Sequence, residues 1–462
     1  MAHKSGDHVY FLFFGALIFF GFALLTALGA RRPMLDFELA YNSTRCLLHG
    51  CDPYSQHDVL GLLRASGETY PSDQSSQLIV ATRNVYPPGE FAVILPFALI
   101  APGLAKFLWI AATAVLYLAT AVMLWVLVRP LAPGVGGVFL GFILATSFPL
   151  FIYNNPGCLA VGLVGVAACC FLLERWETAA AVLLAGALLL KPQDAGMAWL
   201  FFLLAGGTLR RGALKSLAIA FVFAIPLVVW TGQLSPHWAN EMHQNLTAFT
   251  RHGGINDPGP SAVMDHGTCV NTSLAPVLAN LWDNAGFYSL GSLALIAPLV
   301  FFWARWTLVA SPGRALRAPT NEGDSLRSGF DRRAIWLGLA AAIPLTLLPV
   351  YHRIYDARLI ILTVPACALL ASEGGRRRWL AIGINGAAIL ATCEPLWAAV
   401  LGYVESLHLP AAVFHGRLLA AAFGIPTPVS LVVLSAFYLW VYREHCRGNS
   451  ATVGSLATEG ES

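Results

Sequence analysis

Charge is what this sequence has least of. Of its 462 residues only 11% are Asp, Glu, Lys or Arg, where a soluble domain carries about 25%. Water is therefore excluded as the only solvent of the chain. The net charge of +3 is too small to mark a nucleic-acid partner. The nine cysteines include no C-x-x-C pair and no Cys/His ligand spacing, which excludes a structural zinc module. Cys46 and Cys51 flank one short polar stretch. They read either as a disulfide on an oxidising face or as two free thiols. No repeat of solenoid period is visible.

What the chain has in quantity is apolar sequence: 57% hydrophobic residues and a mean hydropathy of +0.65. A spanning helix needs about 20 predominantly apolar residues. Runs of that kind, or close to it, lie near 9–30, 105–128, 136–150, 157–173, 178–190, 194–208, 214–230, 286–309, 334–350, 357–372, 379–401 and 425–442. The first is too long for a leader peptide and reads as a span. A shorter run at 88–102 holds three prolines and is expected to dip in without crossing. The expectation is an all-α polytopic membrane protein of about twelve transmembrane helices. Residues 1–442 form the membrane domain, with a long first outer loop at 31–87 and a second at 231–285. The polar stretch 443–462 is expected to be a disordered cytoplasmic tail. With both termini inside, the basic loops at 209–215 and 311–333 and the Arg376–Arg378 cluster fall on the cytoplasmic side.

On that topology the remaining polar groups gather on the opposite face. Asp36 follows the first span in "LDFELAY", and "GCDPY" comes soon after. "YPPGE" (86–90), "YNNPG" (153–157), "KPQD" (191–194) and "YHRIYDARL" (351–359) each sit at the end of an apolar run. Ionisable groups at membrane depth are costly and usually face a protein-lined cavity. Taken singly, each has a plainer reading. Asp36 can cap a helix, Lys191 can snorkel, Tyr86 can be an interfacial aromatic, and His352 with Arg353 can be an interfacial pair. Taken together, they point to one site between helices and outer loops.

The order of these motifs resembles the polyprenol-phosphate-dependent glycosyltransferases of the GT-C class. It is most similar to glycosyltransferase family 87, the alpha-mannosyltransferase-like group. Motifs carry the resemblance over roughly residues 10–215, and topology carries it beyond. In that class an acidic residue of the first outer loop is the catalytic base, and Asp36 occupies the matching position. "YNNPGC" stands where the family often has a Gly-Gln-x-Asn element, without its Gln. "HRIYD" resembles a His-containing element, which brings in His352. A small chain without eukaryotic retention signals suits a bacterial inner membrane, and the resemblance implies a cell-envelope enzyme active on the extracytoplasmic side. It would move a hexose, mannose by the family likeness, from a polyprenyl phosphate to a glycan or glycolipid acceptor.

The chemistry such a transfer needs agrees with the residue types. A carboxylate takes the acceptor hydroxyl's proton as the new bond forms, and cations stabilise the departing phosphate. Arg353 can grip a phosphate through two N–H groups, and Lys191 as a point charge; Arg31 and Arg32 are further candidates. Tyr41, Asp52, Tyr54, Tyr86, Lys191, His352 and Arg353 are the expected substrate-binding residues. No cofactor or metal is expected; a hard cation bridging Asp36 and Asp52 is the alternative. The competing function is a secondary transporter or lipid-linked sugar flippase. Transporters usually place their polar groups near the bilayer midplane, in broken helices.

Overall fold

Proline starts helix after helix in this chain. Pro102, Pro133, Pro156 and Pro192 each occupy a first helical position, where the missing N–H costs nothing and the fixed φ suits the helix. The computed structural model describes residues 8–29, 35–67, 81–260, 271–310, 332–414 and 416–459. Arg31 and Arg32, two of the phosphate candidates, lie outside the described residues.

The described residues are helical, with one isolated β-bridge between Asn271 and Arg353. The α-helices of eight residues or more, numbered in chain order, begin with α1 (Val9–Leu28), α2 (Leu35–Leu48), α3 (Gln56–Ala65), α4 (Phe91–Ala98), α5 (Pro102–Val128) and α6 (Pro133–Ala145). Next come α7 (Pro156–Leu172), α8 (Glu177–Leu190), α9 (Pro192–Ala205), α10 (Gly207–Leu234), α11 (Trp238–Thr250) and α12 (Ala285–Ala310). The last are α13 (Arg332–Leu347), α14 (Val364–Glu373), α15 (Gly375–Ala391), α16 (Glu394–Ser406), α17 (Arg417–Gly424) and α18 (Pro426–Glu459).

Among the described residues, six stretches are long and apolar enough to cross a membrane: Val9–Leu28, Pro102–Val128, Pro133–Ile152, Gly207–Leu234, Ala285–Ala310 and Arg417–Gly448. A seventh arises if α15 and α16, bent by 57°, count as one broken span. The sequence reading had about twelve. The difference lies in short helices such as α7, α8 and α9. At 1.5 Å per residue, 14 to 17 residues reach only about 21–26 Å, less than the roughly 30 Å hydrocarbon core. The run at 88–102 becomes a 3₁₀ turn, Pro88–Glu90, then α4, then a break before α5. The stretch 31–87, expected as the first outer loop, contains two helices, α2 and α3, and α18 continues past residue 442 to Glu459.

Burial sorts the helices. α7 and α13 are buried along nearly their whole length, with α7 packed on α5 and α8, and α13 on α9 and α18. By contrast, α1, α10 and α12 expose Phe11, Phe14, Phe223, Ile225 and Phe301 on the outside of the bundle. Water would penalise such a belt, and hydrocarbon accepts it. Hydrocarbon does not drive apolar faces together, so close backbone approach must hold the bundle. The α1–α6 seam shows it. A Cβ on Gly15 would run into the backbone of Gly141, and one on Gly141 into the backbone of Phe11.

Candidate functional site

The sequence motifs meet at one end of the bundle, and Asn155-Pro156-Gly157 is where they join. Asn155 is the N-cap of α7, and its side-chain oxygen accepts from Gly157 N at 2.8 Å. That leaves its amide free to donate outward. It donates to Asp36 Oδ2 at 3.0 Å and to the Tyr86 hydroxyl at 2.7 Å. Asp36 sits in the first turn of α2, where the helix dipole favours a carboxylate. Asp36 thus lies one residue inside the helix, where its carboxylate accepts from Asn155. Tyr86 is buried, and burial pushes its hydroxyl well up, with the charges of Asp36 and Glu90 adding to the effect.

On the other side of Asn155, Gly157 faces a buried ionic cluster. A Cβ there would fall 2.5 Å from Asp356 Oδ1 and 2.8 Å from Lys191 Nζ. Glycine is what allows this approach. Lys191 Nζ donates to Asp356 Oδ2 at 2.5 Å and lies 3.4 Å from Asp194 Oδ2. His352 Nε2 lies 3.0 Å from Asp194 Oδ1, close enough for an ion pair but off the line of a hydrogen bond. Its Nδ1 faces Val350 O at 3.0 Å, so both ring nitrogens point at oxygen acceptors.

One ammonium cannot satisfy two carboxylates. Burial lowers Lys191, but Asp194 and Asp356 more than offset it and hold the ammonium above its ordinary value. Asp356 is pushed up to about 6 by burial and by the charge of Asp194, against the pull of Lys191 and His352. The pairing thus leaves Lys191 little charge to spend on a ligand.

Arg353 is placed differently, because its partners are neutral. Its Nε donates to the Tyr351 hydroxyl and an Nη to Asn256 Oδ1, both at 2.7 Å. The guanidinium lies 5.7 Å from the centroid of the Tyr153 ring, a cation–π distance. Burial lowers its pKa, but Tyr351, Tyr355 and Asp36 outweigh that and raise it well above its usual value. The carboxylate of Asp36 and the cation of Arg353 thus lie in each other's field. The backbone N–H of Arg353 also donates to Asp356 Oδ2 at 3.0 Å, which ties it to the ionic cluster.

The other expected residues stand around this centre. The Tyr54 hydroxyl donates to Tyr86 O at 2.7 Å. Asp52 Oδ1 accepts from Tyr54 N at 2.9 Å, so it shapes the turn that carries Tyr54. The Tyr41 hydroxyl donates to Ile100 O at 2.9 Å, and its ring packs on Phe37. Cys46 and Cys51 are joined as a disulfide beside that turn. Tyr41, Asp52 and Tyr54 therefore brace Tyr86 and α2. Among the described residues no group of three or more His, Cys, Asp and Glu side chains is arranged to hold a metal ion.

Sequence reasoning missed Asn155, Gly157, Asp194, Asp356 and Asn256. Four of these lie inside motifs that it had quoted, "YNNPG", "KPQD" and "YHRIYD". Only their pairing across the fold singles them out. Asn256 carried no signal.

The model of one protein family, Glycosyltransferase family 87, matches residues 84–320, just over half of the chain. The matched span contains Tyr86, Asn155, Gly157, Lys191 and Asp194; Asp36 and the 351–356 segment lie outside it. No curated protein and no solved structure matches.

Proposed function

The chain belongs to glycosyltransferase family 87, and from that premise we propose that it transfers a hexose from a polyprenyl phosphate to a glycan or glycolipid acceptor, with Asp36 as the base. The donor head would lie beside Arg353, with its anomeric carbon between the phosphate and Asp36. Asp36 takes the proton of the acceptor hydroxyl as that oxygen bonds to the anomeric carbon. The bond from that carbon to the phosphate oxygen breaks, and its electron pair leaves with the polyprenyl phosphate. A single displacement inverts the anomeric configuration. The lipid-linked sugar is a substrate, and the step as written uses no resident cofactor.

The observation that carries this reading is the Asn155–Gly157 junction. One short stretch holds the Asp36 carboxylate on one side and, on the other, abuts the ionic cluster to which the backbone of Arg353 is tied. A base and a phosphate clamp must flank one bond. Within the cationic set, the geometry favours Arg353 over Lys191 as the phosphate ligand, because Lys191 is held by two carboxylates. His352, when protonated, would balance the second of these.

A groove of about 700 Å³ between α9, α12 and α13 suits the donor's tail. Pro192, Met197, Leu293, Phe301 and Val350 line it. Pro192 follows Lys191 and Val350 precedes Tyr351, so it begins where the ionic cluster ends. We read the chain as a GT-C-like membrane domain and the site as facing the extracytoplasmic side of the inner membrane. Mannose is the sugar that the family likeness favours.

The test is sugar transfer by the purified chain in vesicles, with polyprenyl-phosphate mannose as donor. The wild type should release polyprenyl phosphate and form an inverted linkage, and Asp36→Asn should do neither. Sugar transfer at the wild-type rate by the variant would remove Asp36 as base. Flux of the lipid-linked sugar without any transfer would favour the flippase.

A further inference from the structure

The end of the bundle opposite the site carries a second, unrelated pocket. It lies between α12 and α18, has a volume of about 420 Å³, and is lined by Arg305, Arg443 and Arg447 with Trp306 and Trp440. Its apolar part is Leu299, Phe302, Ala436 and Leu439. Both helices start at the site end. The Thr427 hydroxyl at the head of α18 donates to Ala391 O, next to the Thr392 that holds Arg358. α12 follows the 271–274 segment, whose backbone pairs with Leu348 and His352. At 1.5 Å per residue, Arg305 and Arg447 are each about 30 Å along their helices, one hydrocarbon thickness away.

The lining is graded along the membrane normal. On both helices the apolar residues come first, Leu299 and Phe302 on α12, Ala436 and Leu439 on α18. The arginines come after them, towards the aqueous end. Arg443 and Arg447 are four residues apart and share a helix face. Arg447 stacks over Trp306 at 5.6 Å, and both tryptophans sit where an interfacial aromatic belt belongs. The neighbouring Arg377 is neutralised by Glu444 and stacks on Trp440. Among the described residues, none of the three pocket arginines is paired with a carboxylate.

We propose that this pocket binds an anionic phospholipid of the cytoplasmic leaflet. Its phosphate sits among Arg305, Arg443 and Arg447, and its acyl chain lies along Phe302 and Leu439. A free phosphate would use the arginines but not the apolar half. A zwitterionic lipid would fill the apolar half while bringing its own cation to the arginines. Basic pockets between transmembrane helices on this side are suited to such headgroups.

The test uses the full chain, purified and delipidated in an uncharged detergent. Native mass spectrometry follows its titration with phosphatidylglycerol or phosphatidylcholine of identical acyl chains. Phosphatidylglycerol should bind about 100-fold more tightly, and each arginine removed should cost about fivefold in that affinity. The R305A/R443A/R447A variant should therefore lose about 100-fold, with phosphatidylcholine binding unchanged. Equal binding of the two lipids by the wild type would overturn the proposal, whether or not the variant folds. So would an unchanged affinity in the triple variant. Displacement of phosphatidylglycerol by millimolar inorganic phosphate would make the pocket a free-anion site instead.

Discussion

Asn155 shows how much one side chain can organise. Its amide donates to Asp36 and to Tyr86, while its oxygen caps α7. Asn155→Ala should free Asp36 and lower the rate of transfer about ten- to hundredfold, because a buried hydrogen-bonded pair is lost. Asp36→Asn should lower kcat by about 10²–10⁴ with little change in melting temperature, since a general base contributes that much. A circular-dichroism melt beside the rate measurement separates the two effects. Gly157→Ala should do the reverse of a conservative change. Its Cβ would intrude between Lys191 and Asp356, costing about 1–3 kcal/mol in stability. A melting temperature and rate equal to wild type would contradict that.

Asp356 adds a pH dependence. Its folded pKa is raised from 3.8 to about 6, so the folded state holds the proton more tightly than the unfolded chain does. Its contribution to stability is present below its unfolded value and is lost as pH rises through about 6. Charge pairing with Lys191 runs the other way and weakens as pH falls through about 6. Thermal stability should therefore rise modestly on acidification from pH 7 to 5, while transfer declines. Asp356→Asn should flatten both trends in that window.

At the scale of elements, the site depends on how helices end. Proline and asparagine begin α7, and Lys191 is the hinge between α8 and α9. Each polar motif is thus fixed by a helix terminus and projects from the bundle end. The lateral fit is made elsewhere, by glycine. The α1–α6 seam tolerates no Cβ at Gly15 or Gly141. Gly141→Leu should separate these helices and lower the melting temperature by several degrees, as overpacking costs about 1–3 kcal/mol. Half-buried Gly21, with nothing near its missing Cβ, should tolerate alanine. Equal melting temperatures for the two variants would show that the seam does not hold the bundle.

Across the whole molecule, charge and redox chemistry are expected to separate by face. The Cys46–Cys51 disulfide lies at the site end, next to the Asp52–Tyr54 turn. The described free cysteines are all buried. A membrane-impermeant maleimide applied to intact cells should label Cys46 and Cys51 only after reduction. Cys46 and Cys51 left unlabelled even after reduction, and labelled only once the cells are permeabilised, would place that end in the cytoplasm and invert the topology. Arg305, Arg443 and Arg447 stand at the other end, in keeping with the excess of basic residues expected inside.

The sequence by itself determined the solvent and the cast. Eleven per cent charge and long apolar runs leave few homes other than a bilayer, and the order of motifs pointed to family 87. Apolar length is a one-dimensional property, so it can be read without a fold. Crossing number was less legible, because α7 and α13 owe their apolar composition to burial among other helices. Hydropathy cannot tell protein from lipid. The partners of each ionisable group were decided only in three dimensions. Lys191 and Asp356 are 165 residues apart in sequence, and Asp36 and Asn155 are 119 apart. Their distances, and so their electrostatic roles, exist only once the helix ends converge. That convergence marks Arg353 as the cation with charge to spare and Asn155 as the residue that holds Asp36.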